Sequence, residues 1–280
     1  MSKYFCVNGK IVLAKNAKLQ VTDLGLLRGY SIFDFLKVEK GIPLFIEAHL
    51  QRFQNSAQEM RLQLNYSVEE LKQLVMKLIV KNDFKKGGMK IILTGGYSED
   101  GYLPSNETNM FILLNTFKVP PKRAYQNGVK LLLYKHFRNI STVKTTNYIF
   151  PIRLADEIKA ANAYDVLYHW RGKISESATS NFFIVKNDTI ITSTSHILNG
   201  ITRQRTLEVA RQHYKVVEKN ISLKDLKEAK EAFLTSTTKG ALPVVQVDDM
   251  KIEDGKVGGI TQHIHQLLNN QAKQYVKNFG

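Results

Sequence analysis

A single cysteine, Cys6, in 280 residues excludes a disulfide within the chain and any zinc cluster built on several thiolates. Nothing here calls for an oxidising compartment. Long apolar runs are missing too: no stretch reaches the roughly 18 residues that a membrane span requires, and the opening MSKYFCVNGK carries no apolar segment of signal-peptide length. The expectation is a soluble cytoplasmic protein with no membrane partner. Acidic residues are scarce, 25 Asp and Glu against 40 Lys and Arg, giving a formal net charge of +15. A nucleic-acid partner would fit that balance, but the basic residues are scattered among acidic ones and no zinc-finger, RNP or basic-zipper pattern occurs. A basic surface that draws anionic metabolites is the expected meaning, without nucleic acid. Internal repeats and low-complexity segments are absent, and 43% hydrophobic content over this length is enough for one large domain or two lobes.

Along the chain, residues 4 to 14 read as two strands around Asn8-Gly9, a dipeptide suited to a type I′ turn. A glycine-punctuated loop begins at Asp23, with Arg28 and Tyr30 on it, and leads into a strand from Ser31 to Val38 and a second turn at Lys40-Gly41. The stretch 46 to 64 repeats Leu50, Phe53, Ala57, Met60 and Leu64 at intervals of three and four and predicts an amphipathic helix. His49 and Arg52 flank that stripe, which leaves the Arg52 head free for an anion. A capping box, Ser67 to Glu70, predicts a helix over 68 to 80. Strands follow at 89 to 96 and 109 to 115; Lys90, Ile92 and Thr94 share one face of the first.

The double proline of KVPPKR predicts a stiff extended connector. The expected organisation is an N-terminal α+β lobe at 1–117, a linker at 118–124 and a C-terminal lobe at 125–280. Beyond the linker, strands are expected at 129–134, 164–170, 181–186, 189–192, 231–235 and 243–247. Helices are expected at 148–160, after Gly200, at 222–229 and from Thr261. Strands and helices mix without regular alternation, so the expected class is α+β.

Chemistry centres on STVKTTNY, residues 141–148, where Lys144 stands among small hydroxyl residues as a candidate reactive amine. Gly200-Ile201-Thr202 precedes a predicted helix, where unpaired N–H groups and the dipole favour a phosphate; Thr202 is placed to cap the helix and bind that phosphate. Ser236, Thr237 and Thr238 form a hydroxyl cluster directly after a strand. Arg52 offers the planar fork that phosphate prefers. Glu176 lies in a run of small residues as an acidic partner for a heterocyclic nitrogen.

The set HLQRF, VKTTNY, ISESATSNFF, ILNGITR and LTSTTKGALPV, in that order from about Asp23 to Val245, resembles the class IV aminotransferases. This is the fold-type IV group of pyridoxal-phosphate enzymes, which includes branched-chain and D-amino acid aminotransferases and aminodeoxychorismate lyases. The resemblance implies two mixed α/β lobes with the cofactor, pyridoxal 5'-phosphate, in the cleft between them. It makes Lys144 the lysine to which the cofactor is attached and the catalytic base. It assigns Arg52, Gly200, Ile201, Thr202, Ser236 and Thr237 to the phosphate, Glu176 to the pyridine nitrogen, Tyr148 to the ring hydroxyl and Leu198 to a ring face. The implied partners are an amino acid and a 2-oxo acid, and the implied assembly is a homodimer in which Arg28 serves the neighbouring cofactor.

The substrate side departs from the family's patterns. Where branched-chain enzymes carry a tyrosine-glycine pair and then Phe-Glu-Gly, this chain has RGYSIFDFL. The Arg-x-His element of D-amino acid enzymes is replaced by YSEDGY. Arg28 and Lys90, with Tyr30 and Thr238, are the candidate substrate contacts, Arg28 and Lys90 acting together as a carboxylate clamp. An aminodeoxychorismate lyase on the same scaffold is the alternative, and a non-catalytic protein binding anions or nucleic acid is the third reading.

Overall fold

The computed structural model describes residues 2–105 and 107–279. The chain divides into two compact units: one comprises the residues up to Phe117, Val143–Asn147 and the residues from Gln274 onward, and the other comprises Lys118–Thr142 and Tyr148–Lys273. The range 125–280 expected for a second lobe therefore gives up two segments to the first unit, one of them carrying Lys144. Among the described residues no helix is long and apolar enough to cross a membrane.

The first unit contains β1 (Tyr4–Val7), β2 (Lys10–Leu13), α1 (Leu24–Leu27), β3 (Ser31–Glu39), β4 (Ile42–Pro43), α2 (Ile46–Glu59), α3 (Val68–Lys81), β5 (Lys86–Thr94) and β6 (Asn109–Asn115). Its six strands run in the order β2-β1-β6-β5-β3-β4. Alternation along β3 buries Ile32, Leu36 and Val38 against Leu50, Phe53 and Ala57 of α2 and Leu71, Val75 and Leu78 of α3. Asp34 falls on that same buried face. Phe33 and Phe35 face the other way and are half-buried. The capping box at Ser67 and Glu70 forms as expected. Helix α2 ends at Glu59 rather than 64, because Arg61 takes a left-handed conformation at φ 52° and turns Leu62 into the core.

The second unit contains α4 (Lys122–Asn127), β7 (Val129–Lys135), α5 (Ile149–Arg153), α6 (Ala155–Ala160), β8 (Asp165–Trp170), β9 (Lys173–Ser177), β10 (Asn181–Lys186) and β11 (Thr189–Thr192). Then come α7 (Ile201–Arg211), β12 (Lys215–Glu218), β13 (Ile221–Ser222), α8 (Leu223–Lys227), β14 (Glu231–Ser236), β15 (Gly240–Val247), β16 (Met250–Lys251) and α9 (Gly259–Asn278), whose residues from Gln274 onward belong to the first unit. The path β10-β14-β15-β7-β8-β9 returns to β10 through the pair Glu176↔Asn181, so these six strands close into a barrel. Both faces of β10 are covered: Phe182 and Ile184 lie in one core, while Phe183 and Val185 pack with Leu207 and Ile264. That is why NFFIVK is a nearly continuous apolar run. The linker expected at 118–124 is only partly extended, since α4 starts at Lys122, and the helix expected over 148–160 breaks at Leu154.

Candidate active site

In the first unit, residues 144 to 146 dock on the edge of β3 that β4 leaves unpaired. The Phe33 N–H donates to the Lys144 carbonyl at 2.9 Å, and the Thr146 N–H donates to Ser31 O at 3.2 Å. An isolated bridge joins Ile32 to Thr145. These bonds hold the half-buried Lys144 with its Nζ 4.7 Å from the centroid of the Phe33 ring. Lys90 reaches the same ring, its Nζ 5.1 Å from the centroid, because Phe35↔Lys90 and Phe33↔Ile92 pair across β3 and β5. Phe33 had no sequence signal of its own beyond lying on the alternate face of β3.

On the buried face, Asp34 organises α2. Arg52 donates to both of its oxygens at 2.8 Å, and His49 Nδ1 lies 2.7 Å from Oδ1. Burial pushes the Asp34 carboxyl up, but the Arg52 guanidinium and then His49 outweigh it and hold Asp34 well below the usual carboxylate range. Burial pushes the His49 imidazole down despite Asp34, so His49 sits neutral and donates through Nδ1. The Arg52 head, expected to be free, is instead held by a bidentate pair; among the described residues nothing accepts from its Nη1, which remains for an external anion. A depressed carboxyl adds stability above the ordinary carboxylate range and loses it as pH falls towards its folded value. Asp34→Asn is therefore expected to cost about 3 kcal/mol near neutral pH and to flatten the loss of stability between about pH 5 and 3. Urea unfolding across that range checks this; a neutral-pH cost below about 1 kcal/mol would show that the pair does not fix Arg52.

In the second unit, Glu176 is 4% exposed. Arg138 Nε donates to its Oε1 at 2.9 Å, and the Leu198 N–H and Asn181 Nδ2 donate to Oε2 at 2.9 and 3.3 Å. Asn181 Nδ2 also donates to Leu198 O at 2.7 Å, so one amide ties Glu176 to the loop before α7. A side chain at Gly200 would collide with Asn181, whose Oδ1 lies 2.2 Å from where the Cβ would stand. Glycine is required there by this close approach. Gly200 is the N-cap of α7 and no side chain caps the helix, which leaves first-turn N–H groups for an anion. Thr202, expected as the cap, lies inside the first turn, where its carbonyl accepts from the Thr206 hydroxyl at 2.8 Å.

Asn181 pairs with Thr235 across β10 and β14, so their side chains leave the same face of the sheet. Thr235 is 1% exposed and its hydroxyl has no protein partner. It stands on the face from which Asn181 reaches Gly200 at the start of α7, and the chain continues from it into Ser236, Thr237 and Thr238. Ser236 and Thr238 share a hydroxyl contact of 3.5 Å. An uncapped helix start with no room for a side chain, an unsatisfied buried hydroxyl and an adjacent hydroxyl turn are what a phosphate group would complete.

The second unit thus gathers Glu176, Leu198, Gly200, Ile201, Thr202, Ser236 and Thr237, while the first holds Lys144, Lys90 and Arg52. Tyr148 is half-buried at the N-cap of α5. The other substrate candidates make contacts of their own. The Tyr30 hydroxyl donates to Met60 O, which commits it to the end of α2. Thr238 belongs to the Ser236 turn. Arg28 is exposed at the end of α1 and donates to Leu27 O at 3.2 Å. It adjoins the Ser31↔Thr94 end of the sheet, whereas Lys90 lies four residues back along β5, about 13 Å in backbone rise. The structure therefore does not join Arg28 and Lys90 into one clamp. Arg138, Asn181 and Asp34 escaped notice as site residues; the only available signal was a buried-type position occupied by a polar residue, as at Asp34 within SIFDFL.

A sequence model described as amino-transferase class IV matches residues 31–247. A D-alanine aminotransferase of Staphylococcus aureus (strain N315) is 31% identical over 273 residues, covering 95% of this chain and 96% of that protein. The Escherichia coli branched-chain amino acid aminotransferase has a similar fold, with a TM-score of 0.90 at 24% identity, covering 97% of this chain and 95% of that one. A 4-amino-4-deoxychorismate lyase from Pseudomonas aeruginosa reaches a TM-score of 0.83 at 23% identity, covering 95% of this chain and 98% of that one.

Proposed function

The chain belongs to the class IV aminotransferase family, with the fold-type IV architecture, and from that premise we propose which of its residues carry the chemistry and which substrates it takes. It is a transaminase that moves an amino group between an amino acid and a 2-oxo acid. The family's cofactor is pyridoxal 5'-phosphate, which when bound supplies an electron sink for the pair left at the substrate α-carbon. The observation that carries the residue assignment is the Glu176 carboxylate, held by Arg138, Asn181 and the Leu198 N–H. Such a carboxylate, aimed by three donors, keeps a pyridine nitrogen protonated.

Each residue has a definite task. The first turn of α7, Ser236, Thr237 and Arg52 Nη1 bind the phosphate. Tyr148 serves the ring hydroxyl and Leu198 covers a ring face. Lys144 Nζ would hold the cofactor covalently, and as a free amine it would take the α-proton and later return one. The side chain of Phe33 keeps Lys144 on one apolar surface, which limits where that amine can swing.

Lys90 is the proposed carboxylate partner of the substrate. Its ammonium shares the Phe33 ring with Lys144, so a substrate reaching Lys144 passes within its field. A lysine there suits D-amino acid donors and a dicarboxylic acceptor such as 2-oxoglutarate. Lys90→Met is expected to raise KM about tenfold for both 2-oxoglutarate and pyruvate, since each presents a carboxylate and a charge-assisted hydrogen bond contributes about 1.5–3 kcal/mol. Steady-state kinetics with both acceptors checks this, and unchanged KM values would remove Lys90 from the site. Absorption spectra of the wild type with D-alanine, D-glutamate, L-leucine and L-glutamate test the rest. A shift of the cofactor band with L-leucine alone would move the protein to the branched-chain substrates, and pyruvate released from aminodeoxychorismate without an amino acceptor would identify the lyase instead.

A further inference from the structure

We propose that Lys239 is a positioning residue that ties the turn after Glu176 to the turn of Ser236–Thr238, holding the carboxylate and the phosphate groups in one arrangement. The inference rests on the pyridoxal-phosphate reading above. Strand β9 ends at Ser177 and β10 begins at Asn181, while β14 ends at Ser236 and β15 begins at Gly240. Because β10 pairs with β9 on one side and β14 on the other, the two turns are neighbours at the same end of the barrel. Lys239 spans them. It is 8% exposed, and its Nζ donates to Thr179 Oγ1 at 2.8 Å and Ser180 Oγ at 2.9 Å. Thr179 Oγ1 in turn donates to Asp165 Oδ2 at 3.3 Å, and Ser177 Oγ donates to the same oxygen at 3.1 Å. A buried ammonium and a buried carboxylate are thus joined through one threonine hydroxyl, and the four residues between Glu176 and Asn181 lie between them.

The Lys239 side chain is not needed to form its own turn. The backbone is fixed separately: Lys239 N–H donates to Ser236 O at 3.1 Å, the Tyr125 hydroxyl donates to Lys239 O at 2.7 Å, and His265 Nδ1 donates to Ala241 O at 2.9 Å. A lysine at a barrel rim would ordinarily extend into water, since burying an ammonium is costly. Burial pushes Lys239 down and Asp165 up, each opposed by the other. The groups facing this pair include Ser177, Thr179, Ser180, Tyr164, whose ring centroid lies 5.8 Å from Nζ, and Tyr168, whose phenol is affected by the Asp165 charge. What the buried ammonium gains is a firm hold on Thr179 and Ser180, and through them on the residues at either end of that turn, Glu176 and Asn181. Asn181 in turn carries Leu198 and borders Gly200.

The test compares wild type, Lys239→Met, Asp165→Asn and the double variant. The readouts are the Kd of the apoprotein for pyridoxal 5'-phosphate, the pH dependence of the bound cofactor's visible absorption, and the thermal midpoint of the apoprotein. Lys239→Met is expected to weaken cofactor binding about tenfold and to displace the pH profile, and the double variant is expected to stay within about threefold of Lys239→Met, because the ammonium's bonds to Thr179 and Ser180 are lost in both. A Lys239→Met protein with a lower thermal midpoint but wild-type Kd and pH profile would reduce Lys239 to a structural residue and overturn the proposal. A Kd that returns to the wild-type value in the double variant would show that Lys239→Met suffers only from a stranded Asp165 carboxylate, and would overturn the proposal. Wild-type protein with no affinity for the cofactor would bring down the underlying functional reading, and this inference with it.

Discussion

Replacing Lys144 with alanine is expected to lower transamination about ten-thousandfold, the upper range for losing a positioned general base. Two functions would disappear with one side chain, the attachment of the cofactor and the movement of the α-proton, and Lys90 cannot substitute. Lys90 shares the Phe33 ring but reaches it from β5, whereas Lys144 is carried by the segment docked on β3. The fold should survive, because what secures this segment is backbone: Phe33 N–H to Lys144 O, Thr146 N–H to Ser31 O and the Ile32↔Thr145 bridge. The truncation loses a half-buried lysine stem and its cation–π contact, a cost of about 1 kcal/mol. Single-turnover absorbance with substrate, thermal unfolding, and rescue by a small added amine together check the result. A Lys144→Ala enzyme that keeps more than about one hundredth of wild-type kcat would mean that another group is the base.

Glu176→Gln is the second large effect, expected to lower kcat about a hundredfold, as for removal of one preorganised electrostatic partner. The amide has the right size but the wrong hydrogen-bonding pattern. One carboxylate oxygen faces Arg138 Nε and the other faces the Leu198 N–H and Asn181 Nδ2, so either orientation of the glutamine points its NH2 at a donor. The negative charge that would hold a ring nitrogen protonated is lost, and Arg138 is left without its counter-charge. Cofactor affinity should fall less than kcat, because the start of α7 and the Ser236 turn, the proposed phosphate-binding groups, keep their own side chains. Kinetics together with cofactor titration separate these effects. A kcat within threefold of wild type would exclude Glu176 from the role assigned to it.

Local pattern made much of this molecule legible. The Asn8-Gly9 and Lys40-Gly41 turns adopt the positive φ values that those residue pairs favour, 47° and 80° for the first and 52° and 79° for the second. The Ser67 capping box formed as spaced, and so did the Leu50, Phe53 and Ala57 part of the apolar stripe, which Met60 and Leu64 do not continue because α2 ends at Glu59. These features depend on residues one to four positions apart, where backbone geometry is set by the side chains themselves. Strand β9 was missed because KISES has a single apolar residue; its place is set by partners on β8, β10 and β13, not by its own alternation.

The sequence by itself determined the α+β content and the main helices and strands, and it singled out Lys144, Glu176 and the hydroxyl clusters as candidate site residues. Which charge meets which was decided by tertiary structure. Arg52 meets Asp34 across 18 positions, Arg138 meets Glu176 across 38, and Lys239 meets Thr179 across 60. The Lys144 segment joins the first unit although the chain on both sides of it belongs to the second. Side-chain spacing specifies a helix face or a strand face, but pairings over such separations are set by strand register and barrel closure. Those are selected by the burial of the whole core, and no short stretch of sequence carries that choice.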